Sequence, residues 1–340
     1  MERRNVRNDG RMERGNQERT SRWENTPEEG TNLPHPPSHV PTFPTFPTFP
    51  TFRRSSRSAL PPYRLSAYVS AMPDLENLYV QLRSYGSAVL GYSGGVDSAL
   101  LAVAGTRALG PARFLAVMGR SASYPAVQAE NAARLAQEFH IPLLEVDTQE
   151  LNDPRYLANS TERCYFCKSE LWHRLEVVAR AGGYHWVIDG TNADDLGEHR
   201  PGLRASKEHR VRSPLAELRW TKSQVRTAAR DLGLPTWDAP AAPCLSSRVL
   251  YGLEITSERL RQVEQGEAFL RDLGVTGDLR VRHHGSKARL EVAPEQMDRL
   301  RAHWSSIDAA FSSFGFDQVE LDPAGYRRGG LLAIAPLAGD

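Results

Sequence analysis

The stretch around residues 88–109 constrains this chain more than any other. Ala88-Val89-Leu90-Gly91-Tyr92 reads as a short buried strand, and the apolar residues 99–109 read as a helix. Between them lies Ser93-Gly94-Gly95-Val96-Asp97-Ser98. A turn that leads from a strand into a helix presents unpaired backbone N–H groups and the positive end of the helix dipole. Two glycines let an anion approach the backbone closely, because no Cβ blocks it; Ser93 and Ser98 add hydroxyl donors. Asp97 would repel a bare phosphate, but it makes sense where a Mg2+ ion stands between the carboxylate and the phosphates. The turn lacks the Gly-Lys-Ser/Thr ending of a Walker loop, so chemistry other than γ-phosphate transfer is expected.

The rest of the chain predicts what surrounds this turn. Strands are expected at 114–118, 143–146 and 186–189, and helices at 74–84, 126–139, 168–181 and 221–232. Leu171, Leu175 and Val178 share one face of helix 168–181. Thr221-Lys-Ser-Gln224 is a capping-box start, and Gly233 and Pro235 end that helix. Strands alternating with helices imply crossover units on a parallel sheet, an α/β fold. After about residue 250 the pattern changes to helix 256–273, strands 278–283 and 288–292, helix 294–304 and strand 317–321. The expected organisation is an α/β domain over 71–248 and a smaller α+β domain over 249–340, serving substrate binding or oligomerisation. Residues 1–70 differ from both: residues 41–52 repeat Pro-Thr-Phe four times. A proline every third residue suits polyproline II and forbids a helix or a central strand. That segment is expected to be a disordered extension, the alternative being a docking peptide for an aromatic-lined groove.

Composition narrows the function classes. Among 340 residues, 42 Lys and Arg balance 41 Asp and Glu, for a net charge of +1. Proteins that hold nucleic acid by bulk electrostatics carry a clear basic excess. No apolar run reaches the roughly 18 residues of a spanning helix, and the polar first residues do not resemble a secretory signal. Three cysteines are too few for a disulfide-stapled secreted domain. A cytoplasmic chain acting on a small molecule, with neither nucleic acid nor membrane as partner, is expected.

The cysteines themselves are informative. Cys164-Tyr-Phe-Cys167 is a C-x2-C pair just before the expected helix 168–181, and Cys244 lies far downstream. Three thiols leave four arrangements open. They are a structural zinc site completed by His173 or His140, a redox pair with an unrelated third cysteine, three unrelated thiols, or a 4Fe–4S cluster held by three thiolates with one iron open. Gly190, Asn192 and Asp195 follow the fourth strand at the carboxyl edge of the sheet, where ligands of doubly wound folds collect. Arg280 and Arg282 alternate along a strand and so share a face, where two guanidiniums would clamp a phosphate.

The hexapeptide at 93–98 resembles the PP-loop of the ATP-pyrophosphatase superfamily, which splits ATP between the α and β phosphates. More specifically, several segments over roughly 75–328 are similar to the LarE family. They are Asp189-Gly-Thr-Asn192-Ala-Asp-Asp195, Arg212-Ser-Pro-Leu215, Pro243-Cys-Leu-Ser-Ser-Arg248, Arg280-Val-Arg282-His-His-Gly285 and Asp322-Pro-Ala-Gly-Tyr-Arg327. The resemblance implies an ATP- and Mg2+-dependent sulfurtransferase. It would adenylate a carboxylate of a pyridinium mononucleotide and replace the activated oxygen with sulfur, toward the nickel-pincer nucleotide cofactor of lactate racemase. Ser93, Gly94, Gly95, Val96, Asp97 and Ser98 would cradle pyrophosphate, with Asp97 nearest the magnesium. Ser123 would lie where the superfamily holds adenine. Arg280 and Arg282 would take the substrate phosphate, Arg248 would lower the thiol pKa of Cys244 or bind substrate, and Glu267 would contact ribose. In one branch of the family the residue matching Cys244 gives up its own sulfur; in the other it joins a C-x2-C pair around a 4Fe–4S cluster. The pair Cys164 and Cys167 points to the second. His283 and His284 are expected to be structural, and Lys222 to serve as helix-start charge or distant phosphate support. Family members often form ring-like homo-oligomers. Two competing assignments are a PP-loop tRNA thiolase with a three-cysteine cluster and a non-enzymatic nucleotide-binding zinc protein.

Overall fold

The computed structural model describes residues 74–197 and 201–327. The expected N-terminal extension and its Pro-Thr-Phe repeat lie outside the described residues. Asp74 opens α1 (Leu75–Ser84) by accepting the N–H groups of Glu76 and Asn77. Then follow β1 (Ala88–Gly91), α2 (Val96–Leu109), β2 (Phe114–Arg120), α3 (Ala126–Glu138) and β3 (Leu143–Asp147). A 3-10 turn (Glu150–Asn152) and the short α4 (Pro154–Leu157) lead into α5 (Arg163–Gly182), which ends at Gly183 in the left-handed conformation. The strand β4 (Trp186–Ile188) returns to the sheet.

The four strands are parallel in the order β3-β2-β1-β4, so β1 lies between the strand that follows it and the last one. Ala88 stands opposite both Phe114 and Trp186. The period-2 alternation of β1 sorts the two faces. Ala88 and Leu90 pack with α1, α2 and α3 through Leu78, Leu100 and Leu135, and Val89 packs with Trp172 and Leu175 of α5. This is the α/β fold the alternation predicts. After β4 come α6 (Pro201–Glu208), α7 (Pro214–Glu217) and α8 (Lys222–Asp231). The capping box of Thr221 and Gln224 is formed at the start of α8.

The second sheet is mixed and small. Thr256 caps α9 (Ser257–Asp272). Then β5 (Leu279–His284) and β6 (Lys287–Val292) form a hairpin, α10 (Met297–Ala302) and α11 (Trp304–Phe314) follow, and β7 (Gln318–Leu321) lies parallel to β6. Val281, Leu290, Ile307 and Phe311 form its core. A fourth apolar group, Tyr156, Leu245, Val249, Ile255, Leu260 and Val263, joins α4 to α9 through the segment that carries Cys244. No helix among the described residues is long and apolar enough to cross a membrane.

Two helices differ from expectation. The fifth begins at Arg163 rather than 168, so Cys164 and Cys167 lie inside it. Its first position follows Glu162, which makes no side-chain cap, so the usual start signal is missing. The expected helix 294–304 is broken at His303, and α11 runs on to Phe314. Serines at 305, 306, 312 and 313 lower helix propensity and conceal the core spacing of Ile307 and Phe311.

His283 supplies a pH test of this second core. Its side chain is buried, and its Nε2 donates to Gln262 Oε1 at 2.8 Å while the Gln262 amide donates to the Phe314 carbonyl. Burial first, with Arg259 and His284 adding repulsion, pulls its pKa from 6.5 to about 4. Between those values the unfolded chain binds a proton that the folded chain does not. Stability contributed by neutral His283 is therefore whole above about pH 6.5 and falls by up to about 3 kcal/mol as pH drops toward 4. Urea midpoints across that window are expected to decline, and the decline is expected to flatten in His283→Asn.

Candidate active site

β1 ends at the point where the connections diverge, one crossing to β2 and the returning chain arriving at β4. Ligands of open parallel sheets bind in the crevice so formed. The turn after β1 is built to face it. Gly94 has φ +66, and a Cβ there would stand 2.5 Å from the Cβ of Ala132 on α3. Gly95 is the N-cap of α2 and offers no side-chain cap, so the N–H groups of the first helical turn face outward unsatisfied. The hydroxyls brace the turn: Ser98 Oγ accepts the Ser93 N–H at 3.2 Å and donates to the Gly95 carbonyl at 3.0 Å. Tyr124 donates its hydroxyl to the Ser93 carbonyl at 2.9 Å.

Asp97 projects from the first turn of α2 toward the loop after β4. Its Oδ1 accepts from Asn192 Nδ2 at 3.1 Å, and its Oδ2 pairs with Lys222 Nζ from 125 residues away. Gly190 permits this approach, since a Cβ there would meet the Asp97 Cβ and the Ser98 nitrogen at 3.1 Å. Asp195 accepts the backbone N–H of Asn192 at 3.0 Å and so shapes the loop. Lys222, expected as a helix-start charge or as distant phosphate support, sets its side chain against Asp97. Its backbone N–H is bound by Asp194 at 2.8 Å.

The three cysteines lie on two stretches of the chain. Cys164 is exposed in the first turn of α5, one turn before the half-buried Cys167. Cys244 is the N-cap of a 3-10 turn (Leu245–Arg248). Cys167 packs on the same apolar group as Leu245, the neighbour of Cys244. Burial, then the charges of Glu150 and Cys244, push the Cys167 thiol up. All three are free thiols. Among the described residues no group of three or more His, Cys, Asp or Glu is placed to hold a metal ion.

Ser123 links the two halves. Its carbonyl accepts the Leu245 N–H at 2.8 Å, and its buried hydroxyl donates to Glu150 Oε1 at 3.1 Å. The other oxygen of Glu150 is buried with no partner among the described residues. Asn159, fully buried at φ 50°, holds the Cys244 segment to α5: its Nδ2 donates to the Leu250 and Leu253 carbonyls, both at 2.9 Å. Asn159→Leu leaves those carbonyls unsatisfied and strains a left-handed residue, and is expected to cost about 3 kcal/mol or more in chemical denaturation.

The expected arginines converge nearby. Arg248, 2% exposed, forms a fork with Glu267 at 3.0 and 3.1 Å, and its Nη1 donates to the Cys244 carbonyl at 2.9 Å. Arg282 pairs with Glu291 at 2.8 Å and donates to the Ser247 carbonyl at 2.9 Å. Among the described residues Arg280 binds the Leu279 and Ala241 carbonyls and the face of Tyr326. Burial and the neighbouring Arg248 hold its pKa below the usual range. Glu267 uses its carboxylate on Arg248 and on the Val281 N–H, at 3.1 Å. Sequence reasoning missed Glu150, Asn159 and Arg163, since no motif or spacing marks them.

A Gly-rich anion cradle at the switch point of a parallel sheet, with a carboxylate on its helix, defines a PP-loop nucleotide-binding domain. The NAD synthase family model matches residues 68–174. The chain is 45% identical over 262 residues to the protein slr1717 of Synechocystis sp., covering 76% of this chain and 97% of that one. It is 31% identical over 252 residues to the pyridinium-3,5-bisthiocarboxylic acid mononucleotide synthase of Lactiplantibacillus plantarum, covering 74% of this chain and 91% of the synthase. It is 30% identical over 239 residues to the protein MJ0830 of Methanocaldococcus jannaschii, covering 70% and 90%. The chain belongs to the LarE family, that of the Lactiplantibacillus synthase.

Proposed function

We propose that this chain is an ATP-dependent sulfurtransferase that adenylates a carboxylate of a pyridinium mononucleotide and exchanges the activated oxygen for sulfur, in the making of the nickel-pincer nucleotide. One observation carries the reading. A single dipeptide, Ser123-Tyr124, binds the Ser93 carbonyl through Tyr124 and the Leu245 N–H through Ser123. Phosphate loop and Cys244 turn are therefore neighbours, as a reaction that first activates and then sulfurates one carbon requires.

The residues suggest the following division of labour. The substrate carboxylate attacks the α phosphorus, and pyrophosphate departs along the N–H groups of the 93–98 turn. Positioning and charge neutralisation do most of this work, because pyrophosphate leaves readily. Asp97, held by Asn192 and Lys222, is the carboxylate suited to magnesium, which would neutralise phosphate charge. Arg280 and Arg282 would hold the substrate phosphate, and Arg248 with Glu267 fixes the backbone of Cys244. Sulfur then attacks the acyl carbon, the bond to AMP oxygen breaks, and AMP leaves.

The thiolates a 4Fe–4S cluster would use are three free thiols, Cys164 and Cys167 on α5 and Cys244 at the start of its 3-10 turn, and Cys167 packs on the apolar group that holds Leu245. Cys164, Cys167 and Cys244 would hold it, and when bound it would supply a reloadable sulfide. Intact mass after turnover with ATP and the pyridinium substrate tests the sulfur source. An unchanged mass with thiocarboxylate formed is expected. A loss of about 34 Da, the hydrogen sulfide given up when a cysteine becomes dehydroalanine, would instead make Cys244 the consumed donor. Absence of both AMP and product would overturn the function itself.

A further inference from the structure

The helix α3 starts without help from its own neighbourhood. Pro125 stands at its N-cap with no side-chain bond, and its first turn holds no acidic residue. The partner comes from 138 residues away: Glu264, half-buried on α9, accepts the Ala126 N–H through Oε1 at 2.7 Å. Among the described residues this is the one hydrogen bond that runs directly between the elements up to α8 and those from α9 onward. The other bonds joining those two parts pass through residues 241–255: Arg280 to Ala241, Arg248 to Glu267, Arg282 to Ser247 and Leu250 to His283.

The place where Glu264 takes hold matters. Ala126 follows the dipeptide Ser123-Tyr124 and Pro125, so the bond anchors the piece of chain that binds both the Ser93 carbonyl and the Leu245 N–H. The helix it starts is the wall of the phosphate turn. Ala132 accepts the Tyr92 hydroxyl on its carbonyl at 2.9 Å, and its Cβ closes over Gly94. Glu267 lies three residues after Glu264, on the same side of α9. It holds Arg248, which binds the Cys244 carbonyl, and the Val281 N–H of the hairpin. Neighbouring turns of one helix therefore reach the nucleotide side through Glu264, and the Cys244 turn and hairpin through Glu267.

We propose that Glu264 is a positioning residue for adenylation: it fixes the gap between the phosphate turn and the β5–β6 hairpin, so that a carboxylate held at the hairpin meets the α phosphorus of a nucleotide held at the turn. The inference rests on the function proposed above. Glu264 acts through the backbone of α3. A misplacement of about 1 Å between reacting groups can cost roughly 100-fold in rate. Reach is what counts in a spacer. Glutamine keeps the length and an acceptor oxygen, aspartate keeps the charge but falls one methylene short, and alanine keeps neither. A helix cap alone would register in stability and leave the rate per folded molecule unchanged.

The test uses the full chain as wild type, Glu264→Gln, Glu264→Asp and Glu264→Ala, with melting temperature as the control for folding. Pyrophosphate release is measured against ATP and the pyridinium substrate. In Glu264→Ala and Glu264→Asp kcat is expected to fall roughly 10-fold or more. Both KM values are expected to stay within roughly 3-fold of wild type, and Glu264→Gln to stay within roughly 3-fold in every parameter. Should Glu264→Ala fail to fold, Glu264→Asp carries the comparison. Wild-type kcat in Glu264→Asp, a loss confined to the KM for ATP, or a Glu264→Gln as slow as Glu264→Asp overturns the proposal. A wild type that releases no pyrophosphate with the pyridinium substrate overturns the proposed function instead. The spacer is then read without substrate, from amide hydrogen exchange over residues 121–135 and 245–250. Faster exchange in both stretches of Glu264→Asp, restored in Glu264→Gln, keeps Glu264 as the bolt between the two parts, and unchanged exchange removes it.

Discussion

Cys244→Ser is expected to abolish thiocarboxylate formation, by roughly 1,000-fold or more, while ATP-dependent pyrophosphate release continues. The two halves of the reaction would use different parts of the molecule. Adenylation would use the turn after β1, whose braces are Ser98, Tyr124 and the packing of Gly94 on α3. Sulfur would arrive at a turn whose backbone is held by Arg248 and by the Ser247 hydroxyl, which donates to the Cys244 carbonyl at 2.7 Å. Serine fits that turn and keeps its shape, so only the sulfur is removed. Pyrophosphate release and product mass, measured in the same reaction, give the answer. Persistence of product at the wild-type rate would exclude Cys244 from the chemistry. Cys164→Ser and Cys167→Ser then separate the sulfur sources: a donor consumed at Cys244 tolerates both, and a cluster tolerates neither.

Gly94→Ala is expected to weaken ATP binding by roughly 100-fold, about 2.7 kcal/mol, with little change in melting temperature. A non-glycine residue at φ +66 carries about 1 kcal/mol of backbone strain by itself. The new methyl would also stand 2.5 Å from the Ala132 Cβ and 3.1 Å from its Cα, on a helix that cannot yield cheaply. The turn relieves both by leaving its conformation, and the N–H groups at the start of α2 then no longer converge. The damage is local, because the sheet beneath is packed on both faces. Calorimetric titration with a non-hydrolysable ATP analogue measures it. Affinity within roughly 3-fold of wild type would show that the cradle does not hold the nucleotide.

Much of this architecture is legible because local chemistry and global fold agree. The run Ala88-Val89-Leu90 has the makings of a central strand, and two glycines before an apolar helix mark the anion cradle. The capping box of Thr221 places α8 almost to the residue. What stays illegible depends on distance. Lys222 reads as a helix-start charge or distant phosphate support, and only the fold shows its Nζ set against Asp97. Arg280 and Arg282 read as a symmetrical clamp, yet Glu291 neutralises one while the other meets carbonyls and a ring. Arg163 and Asn159 sit in ordinary local sequence, and their importance lies in partners more than 80 residues away. The start of α5 is hidden because Glu162 gives no capping bond.

The apolar group of Tyr156, Leu245, Val249 and Ile255 has a mechanical consequence. The strip of chain that splices the hairpin of β5 and β6 to the larger sheet is also the strip that bears Cys244, with Leu250 bonded to His283 and Leu245 to Ser123. Tool and tether are one piece. A substrate gripped by its phosphate at the hairpin would pull directly on the sulfur-bearing turn, so occupancy at one end would set the aim at the other without any separate messenger.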